Sequence, residues 1–263
     1  MDFNTADDKA RRFKELHAGP GAFVTPNPWD AGSALALAQL GYPALATSSA
    51  NAAMVLGRKD GQITRDESIA HAKALVEAVD IPVAADLENG FGPSPADCAE
   101  TIRRAIAINL AGGSIEDSTG DAKQPIFDFN QAVERIAAAA EAAHAGPRPF
   151  MLTARCENFL NGRADLDDTI RRLQAYAAAG ADVLFAPGLP DLDAVRAVCA
   201  AVGKPVNFMA GIKGKSFSVA ELEAAGVKRI SLATSLYRTA MSAMRRAATE
   251  VREQGTFGYL NQI

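Results

Sequence analysis

Cysteine, histidine and aromatic residues are scarce in this 263-residue chain, and no long apolar run or block of basic charge accompanies them. Cys98, Cys156 and Cys199 are widely scattered and show no Cys-x-x-Cys spacing, which excludes a disulfide framework and a thiolate zinc site. The three histidines, His17, His71 and His144, fall in helical stretches rather than at strand ends, which argues against a metallo-imidazole site or a Ser-His-Asp triad. Net charge is −4, and Lys and Arg nowhere cluster beyond the pair or triplet level. Nucleic acid and anionic membranes are therefore not expected as partners, whereas small anions remain compatible with a locally positive site. No window approaches the roughly 18 apolar residues of a membrane span, and residues 1–19 lack the apolar core of a signal peptide. The expectation is a soluble, cytoplasmic protein. Aromatics make up only 6% of the chain, and the abundance of alanine suits helices packed closely on a sheet.

What is present is repetition. A short apolar run, a Gly/Pro/polar turn and an Ala-rich amphipathic helix follow one another along the chain, the helices closing on glycines such as Gly41, Gly113, Gly180, Gly203 and Gly226. Strands are predicted over 22–27, 43–49, 82–88, 112–118, 150–157, 182–188, 205–210 and 229–235. Eight apolar strands in strict alternation with helices predict an α/β fold, a closed (β/α)₈ TIM barrel in one domain spanning 1–263.

A barrel gives polar residues at strand ends a special weight, because its chemistry sits at the C-terminal mouth of the strands. Residues 81–92, IPVAADLENGFG, hold the strongest signal: Asp86 and Glu88, spaced i, i+2, are expected on one strand face, with Gly90 and Gly92 following. Two acids on one face repel unless something positive lies between them, and a hard divalent cation is the simplest such partner. Asn27, Ser48, Ser49, Glu116, Asp117, Arg155, Glu157 and Asn207 converge on the same rim. Three carboxylates, Asp86, Glu88 and Glu116, are expected to hold Mg²⁺ directly or through water, with Mn²⁺ as the alternative. Arg155 offers a fork for a carboxylate or phosphonate, though an ion pair with Glu157 or Glu116 is its structural alternative. Ser48, Ser49 and the amides after them either bind a second anionic group or cap the next helix. Asp117 and Cys156 are expected to face away from the rim. The pocket suits a small anionic 2-oxo or 2-hydroxy acid.

The blocks NPWDAGSALALAQLGYPALATSSANAAMVLGRKDG, DLENGFG, SIEDS and ARCENFLNGRADLDDTIRRLQAYAAAGADVLFAPG resemble, in order and spacing, the isocitrate lyase and phosphoenolpyruvate mutase superfamily, in its small single-domain members. The resemblance covers nearly the whole chain. It implies a (β/α)₈ barrel whose last helix, here 231–255, is exchanged between the subunits of a homo-dimer or homo-tetramer. It also implies that Asp86, Glu88 and Glu116 form the magnesium site, with Glu88 where an Asp is common. Arg155 and Asn207 would contact substrate, and Ser48 with the amides of Ser49 and Ala50 would grip its anionic end. Asp60 would organise the metal's waters and gate the pocket. The implied catalytic residues are Arg155, Asp60 and Glu116, acting on a pyruvate-like enolate.

Departures from the family narrow the chemistry. Its carbon-carbon lyases carry a Lys-Cys-Gly-His loop after the fourth strand, where this chain has STGDAKQPIFDFN, without Cys or His. Its mutases and phosphonopyruvate hydrolases carry a His after the sixth strand, where this chain has Pro187. The expected activity is a Mg²⁺-dependent carbon-carbon lyase acting on a small 2-oxo or 2-hydroxy dicarboxylate, with decarboxylation making least demand on the absent loop. Carbon-phosphorus mutase or hydrolase chemistry is the alternative enzyme, and a non-catalytic 2-oxo acid binder the alternative from another class. Whether residues 118–130 form a closing lid is left open by the sequence.

Overall fold

Short apolar runs flanked by turn residues cannot satisfy their backbone groups alone, and here eight of them pair side by side. The structure, a computed structural model, describes residues 5–262. Its strands are β1 (Phe23–Thr25), β2 (Leu45–Ala46), β3 (Val83–Asp86), β4 (Gly112–Glu116), β5 (Met151–Arg155), β6 (Val183–Phe185), β7 (Val206–Met209) and β8 (Arg229–Ser231). All ladders are parallel, in the order β1-β8-β7-β6-β5-β4-β3-β2. The seam between β1 and β2 is bridged by the Ala46 amide donating to the Pro26 carbonyl at 3.1 Å. Asn27 strengthens it, its Nδ2 donating to the carbonyls of Ala46 and Thr47 at 3.0 and 2.9 Å. The predicted (β/α)₈ barrel is the observed fold.

The helices are α1 (Ala6–Ala18), α2 (Ala31–Gln39), α3 (Ser49–Val55), α4 (Arg65–Ala78), α5 (Pro95–Ala107), α6 (Phe129–His144), α7 (Leu166–Ala178), α8 (Leu192–Val202), α9 (Val219–Ala224) and α10 (Ser235–Gln254). Capping boxes start several of them, Thr64 with Glu67 at α4 and Ser94 with Asp97 at α5; such caps contribute about 1 kcal/mol each. The main core lies between sheet and helices, with Leu45, Ile102, Ile136, Leu152 and Leu173 fully buried. A second, smaller core closes the bottom of the barrel, where Phe13 of α1 packs with Phe23, Ala84, Met151 and Val183. This end is closed by α1, which leaves the opposite end open.

The strands are shorter than the sequence expectation, β8 ending at Ser231 rather than 235, and three stretches bear on the rest of the molecule. Of the strand expected over 43–49 only Leu45–Ala46 is extended, because Ser48 takes the N-cap position of α3 and ends the run. Within 118–130, Ser118 and Ile126 pair as an antiparallel bridge and the Thr119 amide donates to the Pro125 carbonyl at 2.9 Å, so the segment is a short hairpin. The last helix begins at Ser235 rather than 231, after β8 and a turn, and none of its residues is buried. Among the described residues no helix is long and apolar enough to cross a membrane.

Candidate active site

Parallel register concentrates charge at the ends of three neighbouring strands. Asp86 ends β3, Glu116 ends β4 and Arg155 ends β5, with Asp86 paired to Ser114 and Glu116 to Arg155. Arg155 Nη1 lies 3.5 Å from Asp86 Oδ2 and 3.5 Å from Glu116 Oε2, and its Nε donates to Glu157 Oε1. Its guanidinium carbon stands 5.1 Å from the centre of the Phe185 ring. These three acids hold the Arg155 guanidinium well above its ordinary range, against the opposing effect of burial. Both expectations for Arg155 therefore meet in one side chain: it faces the mouth and it is ion-paired.

Glu88 reaches the same region by a different route from the one expected. β3 stops at Asp86, and Glu88 has φ 49°, so it is not a strand residue two places on but the start of a left-handed turn. Backbone strain of this kind concentrates at functional sites. The turn is held by Gly90 at φ 83°, where a Cβ would meet Cys98 Sγ at 2.9 Å, and by Arg135 of α6, which donates to the carbonyls of Gly92 (2.7 Å) and Asn89. Glu88 Oε1 is buried with no hydrogen-bond partner. Burial, then the charges of Asp86 and Asp60, push its carboxyl up to about 8. Burial also raises Asp60, Glu116 and Glu157, with Asp86 adding to the shift of each. Five acids thus share one guanidinium.

The serines after β2 bind protein rather than facing the cavity unengaged. Ser48 Oγ accepts from the Asn51 amide at 3.4 Å, which is the capping role, while the Ser49 amide and Oγ both donate to Asp86 Oδ2, at 3.2 and 3.0 Å. Ala50 lines the cavity beside them. Asn207 is the second residue of β7, not its end, and lies deeper than expected: its Nδ2 donates to Ser231 Oγ at 3.1 Å and its Oδ1 accepts from Arg229 Nε at 2.9 Å. Asp117 points away into the wall, accepting from the Glu157 amide (2.8 Å), Tyr176 Oη (2.6 Å) and Arg172 Nη1 (3.2 Å). Cys156 is buried in the core behind the rim. Both face as the strand alternation predicts.

Two cavities meet at Arg155. The outer, of about 730 Å³, is lined by Asp60, Glu88, Glu116 and Glu157; the inner, of about 290 Å³, descends past Ser48 and Asp86 to Thr153, Asn207, Arg229 and Ser231. Ser49, Asp60, Arg155 and Leu160 line both. Thr153, in the middle of β5, and Arg229, the first residue of β8, were missed by attention to C-terminal strand ends; an arginine opening the apolar strand RISL was the available signal.

A divalent cation fits this set. The donors are hard oxygens, the acids outnumber the single guanidinium among them, and one buried carboxylate oxygen has no partner. Among the described residues no three His, Cys, Asp or Glu side chains are gathered closely enough to ligate one ion directly. An ion held here would therefore keep water among its ligands.

Comparison with known proteins identifies the family. A family model described as phosphoenolpyruvate phosphomutase matches residues 13–252. A crystal structure of a candidate lyase/mutase from Burkholderia cenocepacia J2315 superposes with a TM-score of 0.96 at 54% identity, covering 98% of this chain and 92% of the other. The 2-methylisocitrate lyase of Escherichia coli is 32% identical over 241 residues, 86% of this chain and 79% of its own. The oxaloacetate decarboxylase of Bradyrhizobium diazoefficiens is 29% identical over 213 residues, 78% and 71% respectively. By the extent of these matches and by its barrel, the chain belongs to the isocitrate lyase and phosphoenolpyruvate mutase superfamily.

Proposed function

We propose that this protein is a Mg²⁺-dependent lyase that cleaves a carbon-carbon bond in a small 2-oxo or 2-hydroxy dicarboxylate, an oxaloacetate-like acid losing carbon dioxide being the simplest case. The observation that carries this reading is the meeting of two opposite cavities at Arg155: an acid-rich mouth that calls for a cation, above an inner pocket with a cationic floor that calls for an anion. Relatives with carbon-carbon lyase and decarboxylase names support the reaction class.

Asp86, Glu88 and Glu116 would hold the metal directly or through water, and Ser49 fixes the Asp86 carboxylate with two donors. Bound Mg²⁺, or Mn²⁺ in its place, would supply a Lewis acid for the oxyanion that develops as the bond breaks. Arg155, rigidly held by its three acids, presents its remaining edge to the substrate's carboxylate. Asp60 lies on the wall common to both cavities, and its raised carboxyl is suited to holding a proton there. Asn207 and Ser231 offer polar contacts to the far end of the ligand. The hairpin over 118–126 contributes neither Cys nor His, so the proton for the product would come from solvent, with Asp60 the nearby carboxyl able to relay it.

The test is a panel of oxaloacetate, substituted malates, isocitrate, methylisocitrate and phosphonopyruvate, followed by NMR with Mg²⁺ and with EDTA. Metal-dependent release of pyruvate or glyoxylate, lost in Asp86→Asn, is expected. Phosphate release would assign carbon-phosphorus chemistry instead, and metal-dependent binding of a 2-oxo acid without turnover would assign a binder.

We infer further that α10 packs against a second copy of the chain. It has no buried residue, leaves Met244 exposed, and lines with Met54 and Arg58 a groove of about 890 Å³ that contains none of the strand-end acids. Light scattering is expected to give a dimer or tetramer that Met244→Glu weakens.

A further inference from the structure

Arg229 lies at the start of β8, pointing into the barrel, and is only 7% exposed. A buried guanidinium normally has an acid beside it, because an uncompensated charge in the interior is expensive. This one does not. Its Nε donates to Asn207 Oδ1 at 2.9 Å, its Nη2 to Thr153 Oγ1 at 3.0 Å, and its Nη1 approaches His17 Nε2 at 3.4 Å. His17 Nδ1 lies 2.8 Å from the Phe13 carbonyl, a bond that needs the proton on Nδ1 and leaves Nε2 as an acceptor. Among the described residues, every side-chain partner of Arg229 is therefore neutral. Burial lowers its affinity for a proton, with no acid opposing the shift.

The side chain also lines the inner cavity, whose floor it forms with Thr153, Asn207 and Ser231. That cavity has room for on the order of ten waters. A cation kept without an acid among the described residues, at the inner end of a cavity and beneath the residues that hold the opposite pole of the site, is arranged for an anion that arrives with the ligand. We propose that Arg229 is the anchor for the second acid group of the substrate, making this pocket selective for dicarboxylates that place one carboxylate at the acid-rich mouth and the other at the barrel floor. The inference rests on the substrate class proposed above and adds the residue that selects the second carboxylate. Asn207 and Thr153 act as positioning residues, since they hold the guanidinium fork from two sides.

The consequence is a chain-length preference that one side chain controls. Oxalate, whose two carboxylates are directly bonded, is expected to bind at the mouth without Arg229, whereas malate carries a second carboxylate two carbons away that Arg229 would take. Titration calorimetry of the Mg²⁺-loaded protein with oxalate and with malate is the experiment, on wild type, Arg229→Met and Arg229→Lys. Arg229→Met is expected to weaken malate by about thirtyfold, the loss of one charge-assisted contact, and oxalate by less than about threefold. Arg229→Lys is expected to restore most of the malate affinity. Equal losses for both ligands in a folded variant, or no loss for either, would overturn the proposal. A wild type that binds neither acid would instead count against the metal-dependent lyase reading. Arg229 is then judged separately with inorganic phosphate in EDTA, followed by ³¹P line broadening: broadening abolished in Arg229→Met upholds the anion site, and no broadening by wild type refutes it.

Discussion

Arg155 and Arg229 line one cavity from opposite ends, and they are compensated in opposite ways. Arg155 has Asp86, Glu116 and Glu157 within ion-pairing distance, while Arg229 has Asn207, Thr153 and His17. Removing charge from the two places should therefore have different consequences. At the mouth the arginine neutralises acids that would otherwise be buried and unpaired. At the floor the arginine is itself the uncompensated charge.

The largest effect is expected for Arg155→Met. Deleting one member of a buried ion pair costs about 3–5 kcal/mol because its partners stay buried and charged. Urea denaturation should show that loss, and turnover should fall by about a thousandfold with the lost anion contact. Retained stability would mean that the acids at the mouth are already neutral, breaking the contrast at its first step.

Next in size is the pH dependence of the metal-free protein. Glu88 is raised from its ordinary 4.5 to about 8, so between those values the unfolded chain has released a proton that the folded chain retains. Stability from this group is present below pH 4.5 and is lost as pH rises through 8. Linkage sets an upper bound of about 5 kcal/mol, and solvent screening of the partly exposed carboxyl brings this to about half. Burial gives Asp60, Glu116 and Glu157 shifts of the same sign, so Glu88→Gln should shallow the slope of stability between pH 5 and 8 without abolishing it. Mg²⁺ binding at pH 7 should release protons, visible as a buffer-dependent heat in calorimetry. A flat stability profile in EDTA would show that Glu88 ionises normally.

At the floor, Arg229→Met in the absence of ligand is expected to cost less than about 2 kcal/mol. Relief of an uncompensated buried charge offsets the hydrogen bonds lost by Asn207 and Thr153. A loss equal to that of Arg155→Met would make the two arginines equivalent structural supports.

Strand ends explain how much of this was legible in advance. Asp86, Glu116 and Arg155 close apolar runs that could only be buried strands, and barrel geometry sends such residues to the mouth. Glu88 was found for a reason that does not hold: periodicity assumes extended backbone, whereas the chain turns left-handed at this residue. The depth of Asn207 depended on where β7 begins, and terminal residues are the least readable part of any element. Arg229 and Thr153 escaped notice because they lie away from the C-terminal strand ends, in positions where the sequence shows burial but not whether the neighbours across the barrel are acids or amides. That information lives in the pairing of β5, β7 and β8, which no local pattern contains.

Ser49 gives the smallest and most discriminating test of how the mouth is held. Its sequence context, SSAN after a short strand, permitted anion binding, yet its amide and hydroxyl both point at Asp86 Oδ2. Ser49→Ala removes the hydroxyl and keeps the amide, so about 1 kcal/mol of orientation is lost at a carboxylate that still has Arg155 Nη1 at 3.5 Å. If Asp86 is a metal ligand that Ser49 orients, Mg²⁺ affinity measured by calorimetry should fall about fivefold, with oxalate affinity at saturating Mg²⁺ unchanged. If Ser49 instead grips the ligand's own anionic end, the order reverses: oxalate weakens while Mg²⁺ binding stays as it was. The two outcomes separate a serine that serves the cation from one that serves the anion, at the one wall where the acid-rich mouth and the inner cavity meet.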